Sequence, residues 1–154
     1  MQLITYILPE IFLALSIMTL LILGVFIKKS FKIVNLLTIF TLIFAIALTI
    51  NQPSGLNKIF NNSYVIDNLS IFMKVLSLLF CTFVILSSKD YIRTIGIDKI
   101  EYPIIILSST LGMMIMISSN DLIVFYLGLE LQSLSLYILA SFKRDSEKST
   151  EAGL

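Results

Sequence analysis

The sequence predicts an all-α integral membrane protein with about five transmembrane helices. Hydrophobic residues make up 57% of the 154 residues and charged residues 14%, and the mean hydropathy is +0.97. Soluble domains carry about 25% charged residues, so this composition is typical of a membrane protein. Five segments approach the roughly 17 to 25 apolar residues that a helix needs to cross a bilayer. They cover about residues 3–27, 33–50, 66–88, 103–119 and 121–142.

Polar connections separate these segments and leave no room for a soluble domain, so residues 1–154 are predicted to form a single membrane domain. The connection before the fifth segment, SSND, is so short that helices four and five should form an antiparallel hairpin. The one before the third segment is rich in Asn, Ser, Pro and Gly and is predicted to be a loop. The connections are KKSFK (28–32), NQPSGLNKIFNNSY (51–64), KDYIRTIGIDKIEY (89–102), SSND (118–121) and the solvated KRDSEKSTE (143–151).

Several residues mark the predicted helix ends. The first apolar run has no preceding basic region and no small-residue cleavage site, so it is expected to be a retained helix. Pro9 followed by Glu10 is typical of a helix start, which would place Glu10 near the membrane surface. Pro103 suits the first turn of helix four, and Asp121 is expected to cap helix five.

The distribution of Lys and Arg predicts the orientation in the membrane. The first, third and fifth connections together carry nine of these residues, and the second and fourth carry one. Basic residues concentrate on the cytoplasmic or matrix side. The N-terminus is therefore predicted to face the periplasm or intermembrane space, and the C-terminus the cytoplasm or matrix.

The composition also excludes several kinds of site. A net charge of +1 favours neither nucleic acid nor an anionic surface as a partner. The sequence has one cysteine, Cys81, and no histidine, so no disulfide framework, Cys-cluster metal site or haem ligation is expected. Cys81 lies in an apolar run and is predicted to be an inert packing residue.

Glu130 is the main candidate functional residue, because it lies near the middle of the fifth apolar segment. Burying a carboxylate is unfavourable unless it is neutralised or paired, and an ionisable residue within a span indicates function. At 100° per residue, four hydroxyl side chains share its helix face: Tyr126, Ser133, Tyr137 and Ser141. This stripe could carry protons, or Glu130 could serve only to fix helix packing. Gln132 and Ser135 point elsewhere and are expected to pack against other helices.

Lys74 is a second charge within an apolar segment, at a depth similar to that of Glu130. Ser70, Ser77 and Cys81 share its helix face, and Asp67 lies two turns away. Two interpretations remain open at this point. Lys74 could extend towards Asp67 or the membrane interface, as long basic side chains often do, or it could take part in a proton relay.

The second half of the chain resembles a known family. ISSNDLIVFYLGLELQSLSLYIL and KRDSEKSTEAGL are similar to subunit 2 of NADH:ubiquinone oxidoreductase (respiratory complex I) and its bacterial counterpart. LPEIF (8–12) and IDNLSIFMKVL (66–76) fit the first and third helices of that family. The resemblance implies an antiporter-like, proton-translocating subunit with two inverted helix repeats, in which Glu130 matches the glutamate of helix five.

Further expectations follow from the resemblance. The chain would be part of an enzyme only as a subunit of the H⁺-translocating NADH:ubiquinone reductase, with NADH, FMN, iron–sulfur clusters and ubiquinone bound elsewhere in the complex. Its partners would be other membrane-arm subunits and lipids, with no nucleic acid. The location would be the mitochondrial inner membrane, or alternatively the bacterial plasma membrane.

The sequence departs from the family in stopping after five predicted helices. The broken seventh helix, whose lysine acts beside the matching glutamate in the family, is absent from it. We therefore expect a separate chain or neighbouring subunits to cover helices four and five. Two other functions stay open, a subunit of a multi-subunit cation/proton antiporter and a shortened structural subunit that does not pump.

Overall fold

Five long helices form the bulk of the chain. A computed structural model describes residues 2–26, 31–53, 55–96, 98–143 and 147–153. The long helices are α1 (Gln2–Phe26), α2 (Phe31–Ile50), α3 (Asn68–Ile95), α4 (Glu101–Ser118) and α5 (Leu122–Ala140), and a short α6 (Glu147–Ala152) follows. Each of the five is long and apolar enough to cross a membrane, which confirms the predicted helical membrane fold. Most of the basic 28–32 turn and residues 144–146 of the last connection lie outside the described residues.

A β-hairpin occupies part of the connection that was predicted to be loop. Strands β1 (Asn57–Ile59) and β2 (Tyr64–Ile66) pair antiparallel, with Lys58 opposite Val65. Three consecutive residues of the turn have positive φ angles, which Asn adopts more readily than most residues. They are Phe60 (53°), Asn61 (52°) and Asn62 (68°). The all-α prediction therefore missed a small sheet, because its strands are too short to show a clear alternating pattern.

The first helix begins at Gln2, close to the predicted start of the apolar segment at residue 3, so the interpretation of Pro9 as the helix start was wrong. Pro9 lies inside α1 and Glu10 follows it within the helix. Proline removes one backbone hydrogen bond and disturbs the preceding turn. The side chain of Gln52 donates a hydrogen bond of 2.6 Å to the carbonyl of Tyr6 in that turn. Such outside partners allow proline within membrane helices.

Helix α3 has well-defined ends at both sides of its span. Asp67 is its N-cap and forms a capping box with Ser70, with hydrogen bonds of 2.8 and 2.9 Å. The helix continues beyond residue 88, so the prediction of a loop from residue 89 was wrong. Gly96 ends the helix in the left-handed conformation, with φ of 75°.

Helix α4 is the most buried of the five spans and contacts α1, α3 and α5. The turn between α4 and α5 is tight, which confirms the predicted antiparallel hairpin. The two helices approach closely at two glycines, because a Cβ on Gly112 would lie only 2.7 Å from the carbonyl oxygen of Gly128. In contrast, α5 buries only Gly128 and Ser135, so most of its surface faces outward.

Candidate functional site

Two hydroxyl groups on α5 contact the carboxylate of Glu130. The hydroxyl of Tyr126 donates a hydrogen bond of 3.2 Å to Oε1. Ser133 Oγ lies 3.4 Å from Oε2 and 3.1 Å from the backbone carbonyl of Glu130 itself. The carboxylate is thus held by one residue a turn before it and one a turn after it. In the part of the chain that the structure describes, no cation pairs with Glu130.

The other two members of the predicted stripe do not reach the carboxylate. Ser141 Oγ donates to the carbonyl of Tyr137 at 3.0 Å, and the Tyr137 side chain is exposed. Ser135, which was expected to pack against another helix, is buried and donates to the carbonyl of Leu131 at 2.8 Å. The structure therefore divides the stripe into a Glu130 cluster with Tyr126 and Ser133, and a separate segment at Tyr137.

Much of the helix face around the Glu130 cluster is open. Glu130 is partly exposed, Tyr126 is 58% exposed, and Leu127 and Leu134 are also exposed. Glu130 follows the first residue of α5 by about eight positions, which corresponds to a depth of about 12 Å along the helix. A carboxylate at this depth on an uncovered face would meet hydrocarbon, where it is strongly disfavoured. This face is therefore open to contact with protein or water beyond the described residues.

Lys74 is fully buried and pairs with Glu10. Its ammonium donates to Glu10 Oε1 at 2.7 Å and to the hydroxyl of Tyr64 at 3.1 Å. The hydroxyl of Tyr64 donates to the same Glu10 oxygen at 2.7 Å. Lys74 thus turns neither to the interface nor to Asp67, which caps α3.

The position of Glu10 corrects the expectation that it lies near the surface. Its exposed fraction is only 5%, because α1 begins before it and the β-hairpin brings Tyr64 against it. Its second carboxylate oxygen, Oε2, is buried and has no hydrogen-bond partner among the described residues. In the sequence, Glu10 and Lys74 are opposite charges at similar distances from the same end of their apolar segments. This similar depth is the signal from which the pair could have been predicted.

Tyr64 joins this buried group from outside the spans. It lies in β2, is 6% exposed, and its ring lies 5.1 Å from the ammonium of Lys74. Burial, followed by the neighbouring charge of Glu10, raises the pKa of its hydroxyl above the ordinary value. The phenol therefore stays protonated and acts as a hydrogen-bond donor. Nothing in the local sequence indicated this role, since it depends on a contact across 54 positions.

The turn between α4 and α5 is attached to the same hairpin. Tyr64 forms a β-bridge with Ser119, and the backbone N–H of Asn120 donates to the carbonyl of Ser63 at 2.9 Å. Asp121 caps α5 as predicted, accepting a hydrogen bond from the backbone of Ile123 at 3.3 Å. The hairpin therefore connects the end of the span that carries Glu130 with the buried Glu10–Lys74 pair.

Known proteins match both the fold of this chain and the sequence of the helix that carries Glu130. A family model described as NADH:quinone oxidoreductase/Mrp antiporter, TM, matches residues 119–154. The chain is 57% identical over 150 residues to NADH-quinone oxidoreductase subunit N of Pelagibacter ubique, covering 97% of this chain and 32% of that protein. The identity to subunit N of Parvibaculum lavamentivorans is 45% over 150 residues, covering 96% and 31%. The chain is homologous to the N-terminal part of NADH-quinone oxidoreductase subunit N.

The similarity covers nearly all of this chain but only part of each relative. The chain spans about a third of the length of these curated relatives. A structure of respiratory complex I from Thermus thermophilus with bound aureothin contains a chain of the same fold. The TM-score is 0.75 at 23% identity, and the match covers 94% of this chain and 31% of that one. The five helices described above thus correspond to about a third of a longer chain in each of these proteins.

Proposed function

We propose that this chain is part of the proton-translocating membrane arm of an NADH:quinone oxidoreductase, in which Glu130 binds and releases the proton. The observation that carries the proposal is the Glu130 cluster on α5. An ionisable group lies deep in a span, held by two hydroxyls and not neutralised by a cation among the described residues. The homology to subunit N supports the same role for the chain.

The hydroxyls around Glu130 give it two properties that a proton carrier needs. The phenol of Tyr126 donates to the carboxylate and stabilises its charged form. Ser133 can both donate and accept, so it can pass a proton to or from Oε2. By resemblance to the family, a lysine on a later helix would be the cation beside this carboxylate. Tyr137 would extend the path towards the opposite end of α5.

The remaining expectations fit this role. Other membrane-arm subunits, or the rest of the fold found in the longer relatives, would cover the open face of α5, and lipids would contact the outer helices. NADH, FMN, iron–sulfur clusters and quinone would bind elsewhere in the complex. The relatives named above are bacterial, which favours the plasma membrane over the mitochondrial inner membrane. The β-hairpin would face the periplasm, because the basic residues concentrate at the other end.

Replacement of the carboxylate tests the proposal. Glu130→Gln keeps the shape and removes the charge, so proton-coupled quinone reduction should fall by about tenfold or more, in the range seen for acid–base groups. The complex should still assemble. Glu101→Gln is the matched control, because Glu101 is exposed at the start of α4. Coupled turnover of Glu130→Gln equal to that of the control would refute a proton-carrying role.

A second candidate function is a cation/proton antiporter that lacks quinone chemistry. The matched family model includes the Mrp antiporters in its description. Such a protein would exchange cations for protons in membranes that receive no NADH, and inhibitors of quinone reduction would have no effect on it. Sequence identity to subunit N of the quinone oxidoreductases favours the first candidate. If the chain is a structural subunit that does not pump, Glu130→Gln should change neither proton-coupled quinone reduction nor cation/proton exchange.

A further inference from the structure

We propose that Glu10, Tyr64 and Lys74 form a second proton-exchange site, distinct from Glu130 and located at the hairpin end of the helix bundle. The inference rests on the proposed function, since it assumes that the complex moves protons through this part of the membrane. It concerns residues on α1, β2 and α3, none of which lies on the helix of Glu130.

The hydrogen bonds of this site converge on one oxygen atom. Glu10 Oε1 accepts from both the ammonium of Lys74 and the phenol of Tyr64, and Lys74 also donates to the phenol. Two groups that can exchange a proton, Glu10 and Lys74, are therefore in direct contact, and Tyr64 contacts both of them. Glu10 Oε2 lies on the other side of the carboxylate, buried and without a partner in the described part of the chain.

The unpaired oxygen, Glu10 Oε2, suggests that the pair does more than stabilise the fold. A buried ion pair stabilises a protein only when its remaining lone pairs are also satisfied, and this carboxylate leaves one oxygen without a donor. Unpaired buried polar atoms are rare in native proteins and often mark functional sites. Oε2 can accept a hydrogen bond from a water molecule or bind a proton itself.

A groove lined by neighbours of the site provides space for water. It has a volume of about 360 Å³ and is lined by Val65, Ser70 and Ser118, among others. Val65 is the neighbour of Tyr64, and Ser70 lies one helical turn before Lys74. The hydroxyl of Ser118 is also buried and lies near the phenol of Tyr64. A cavity of this size with several polar groups can hold water molecules.

The proton transfer within the site creates no new buried charge. An N–H bond of the Lys74 ammonium breaks, the electron pair stays on nitrogen, and an O–H bond forms on Glu10. The ion pair becomes a neutral amine beside a neutral acid, and a low-dielectric site tolerates both states. Release of the proton from Glu10 to water and uptake of another by Lys74 restores the pair. One proton has then passed from Lys74 through Glu10 to water.

The site lies at a depth where it can connect the groove to the membrane interior. Glu10 follows the start of the α1 span at Thr5 by about five positions, and Lys74 follows the start of α3 by about six, so both lie about 7 to 9 Å along their helices. The hairpin covers them from the outside through Tyr64. Water would therefore approach the pair from the groove, which is lined by residues next to Tyr64 and one turn before Lys74.

A charge-neutral double variant separates proton exchange from a structural role. Single changes at Glu10 or Lys74 leave one buried charge alone and should impair assembly, whereas Glu10→Gln with Lys74→Met removes both charges together. The measurement is NADH-driven, proton-coupled quinone reduction in membranes that contain the assembled complex. We expect the double variant to assemble but to turn over about tenfold or more slowly. Normal coupled turnover of the assembled double variant would overturn the proposal.

Tyr64→Phe keeps the proposal testable if the double variant does not assemble. It removes one hydroxyl and leaves the Glu10–Lys74 contact of 2.7 Å in place, so assembly should be retained. We expect coupled turnover to fall severalfold, and turnover equal to wild type would contradict the site. The exposed pair Glu101→Gln with Lys89→Met is the matched control.

Glu130→Gln, measured alongside, distinguishes the two proposals. Slow turnover of Glu130→Gln combined with normal turnover of the double variant and of Tyr64→Phe would refute only the second site. Normal turnover of Glu130→Gln would refute the proposed role of Glu130, whatever the other variants show.

Discussion

Glu10 and Glu130 are both carboxylates within spans, but their surroundings differ. Glu10 contacts the ammonium of Lys74 at 2.7 Å and is almost completely buried. Glu130 contacts only hydroxyl groups in the described part of the chain and lies on an open face. The first carboxylate is therefore neutralised by a lysine of this chain, while the second needs a cation or water other than the described residues.

The buried ion pair makes a direct prediction for Lys74. Lys74→Met leaves the Glu10 carboxylate buried without its cation, so the variant should lose about 3 to 5 kcal/mol of stability. The measurement is the thermal stability and the amount of assembled complex in membranes. Lys89→Met, an exposed change on the same helix, should stay within about 0.5 kcal/mol of wild type. Equal stability of the two variants would show that the pair is not formed.

The sequence predicted these residues to different degrees. The helical rotation of 100° per residue placed Tyr126 and Ser133 beside Glu130, because contacts within one helix depend only on the number of residues between them. It could not pair Glu10 with Lys74, since that contact joins two helices and depends on where α1 begins. The contribution of Tyr64 depends on a hairpin that folds back over the bundle, which no local pattern specifies.

At the scale of elements, the contact between α4 and α5 depends on two glycines. A Cβ on Gly112 would lie 2.7 Å from the carbonyl oxygen of Gly128 and 2.8 Å from the backbone nitrogen of Gln132. Backbone atoms cannot move aside without separating the helices. The close approach therefore sets the position of the helix that carries Glu130.

Gly112→Ala should therefore destabilise the hairpin by about 1 to 3 kcal/mol, as overpacked cores do. Gly24→Ala is a matched control within another span, because its added Cβ would meet the end of the flexible Ile100 side chain at 2.9 Å. The test compares the thermal stability of the two assembled variants. A Gly112→Ala variant as stable as Gly24→Ala would mean that the helices are farther apart than described.

Hydropathy located all five spans, because each needs a long apolar run whatever its neighbours are. The helix ends were less well predicted. Pro9 did not start α1, because the helix begins at Gln2 and Pro9 lies inside it, where Gln52 from a distant part of the chain donates a hydrogen bond to Tyr6. The end of α3 was placed too early because residues 89–95 include three charged side chains but are still helical up to Gly96.

At the scale of the whole molecule, the orientation in the membrane can be measured with introduced cysteines. Cys81, the native cysteine, is buried and should give little background. We expect Lys58→Cys in the hairpin to react with a membrane-impermeant maleimide from the periplasmic side, and Lys99→Cys only after the membrane is opened. Both residues are exposed. The opposite pattern would reverse the proposed orientation.

The open face of α5 predicts that further protein covers it in the assembled complex. A photo-crosslinking residue in place of Tyr126, which is 58% exposed, should form adducts with protein. The same residue in place of Phe26, at the far end of α1 and 79% exposed, provides a comparison position. Adducts with lipid alone at position 126 would show that Glu130 faces hydrocarbon, which is incompatible with a charged carrier.

The most direct test of the account counts protons. Sealed membrane vesicles that contain the assembled complex oxidise NADH, and the number of protons moved per electron is measured for wild type, Glu130→Gln and the exposed control Glu101→Gln. We expect Glu130→Gln to move fewer protons per electron or to lose coupled turnover, and the control to equal wild type. A Glu130→Gln complex that assembles and moves the wild-type number of protons per electron at the wild-type rate would contradict it.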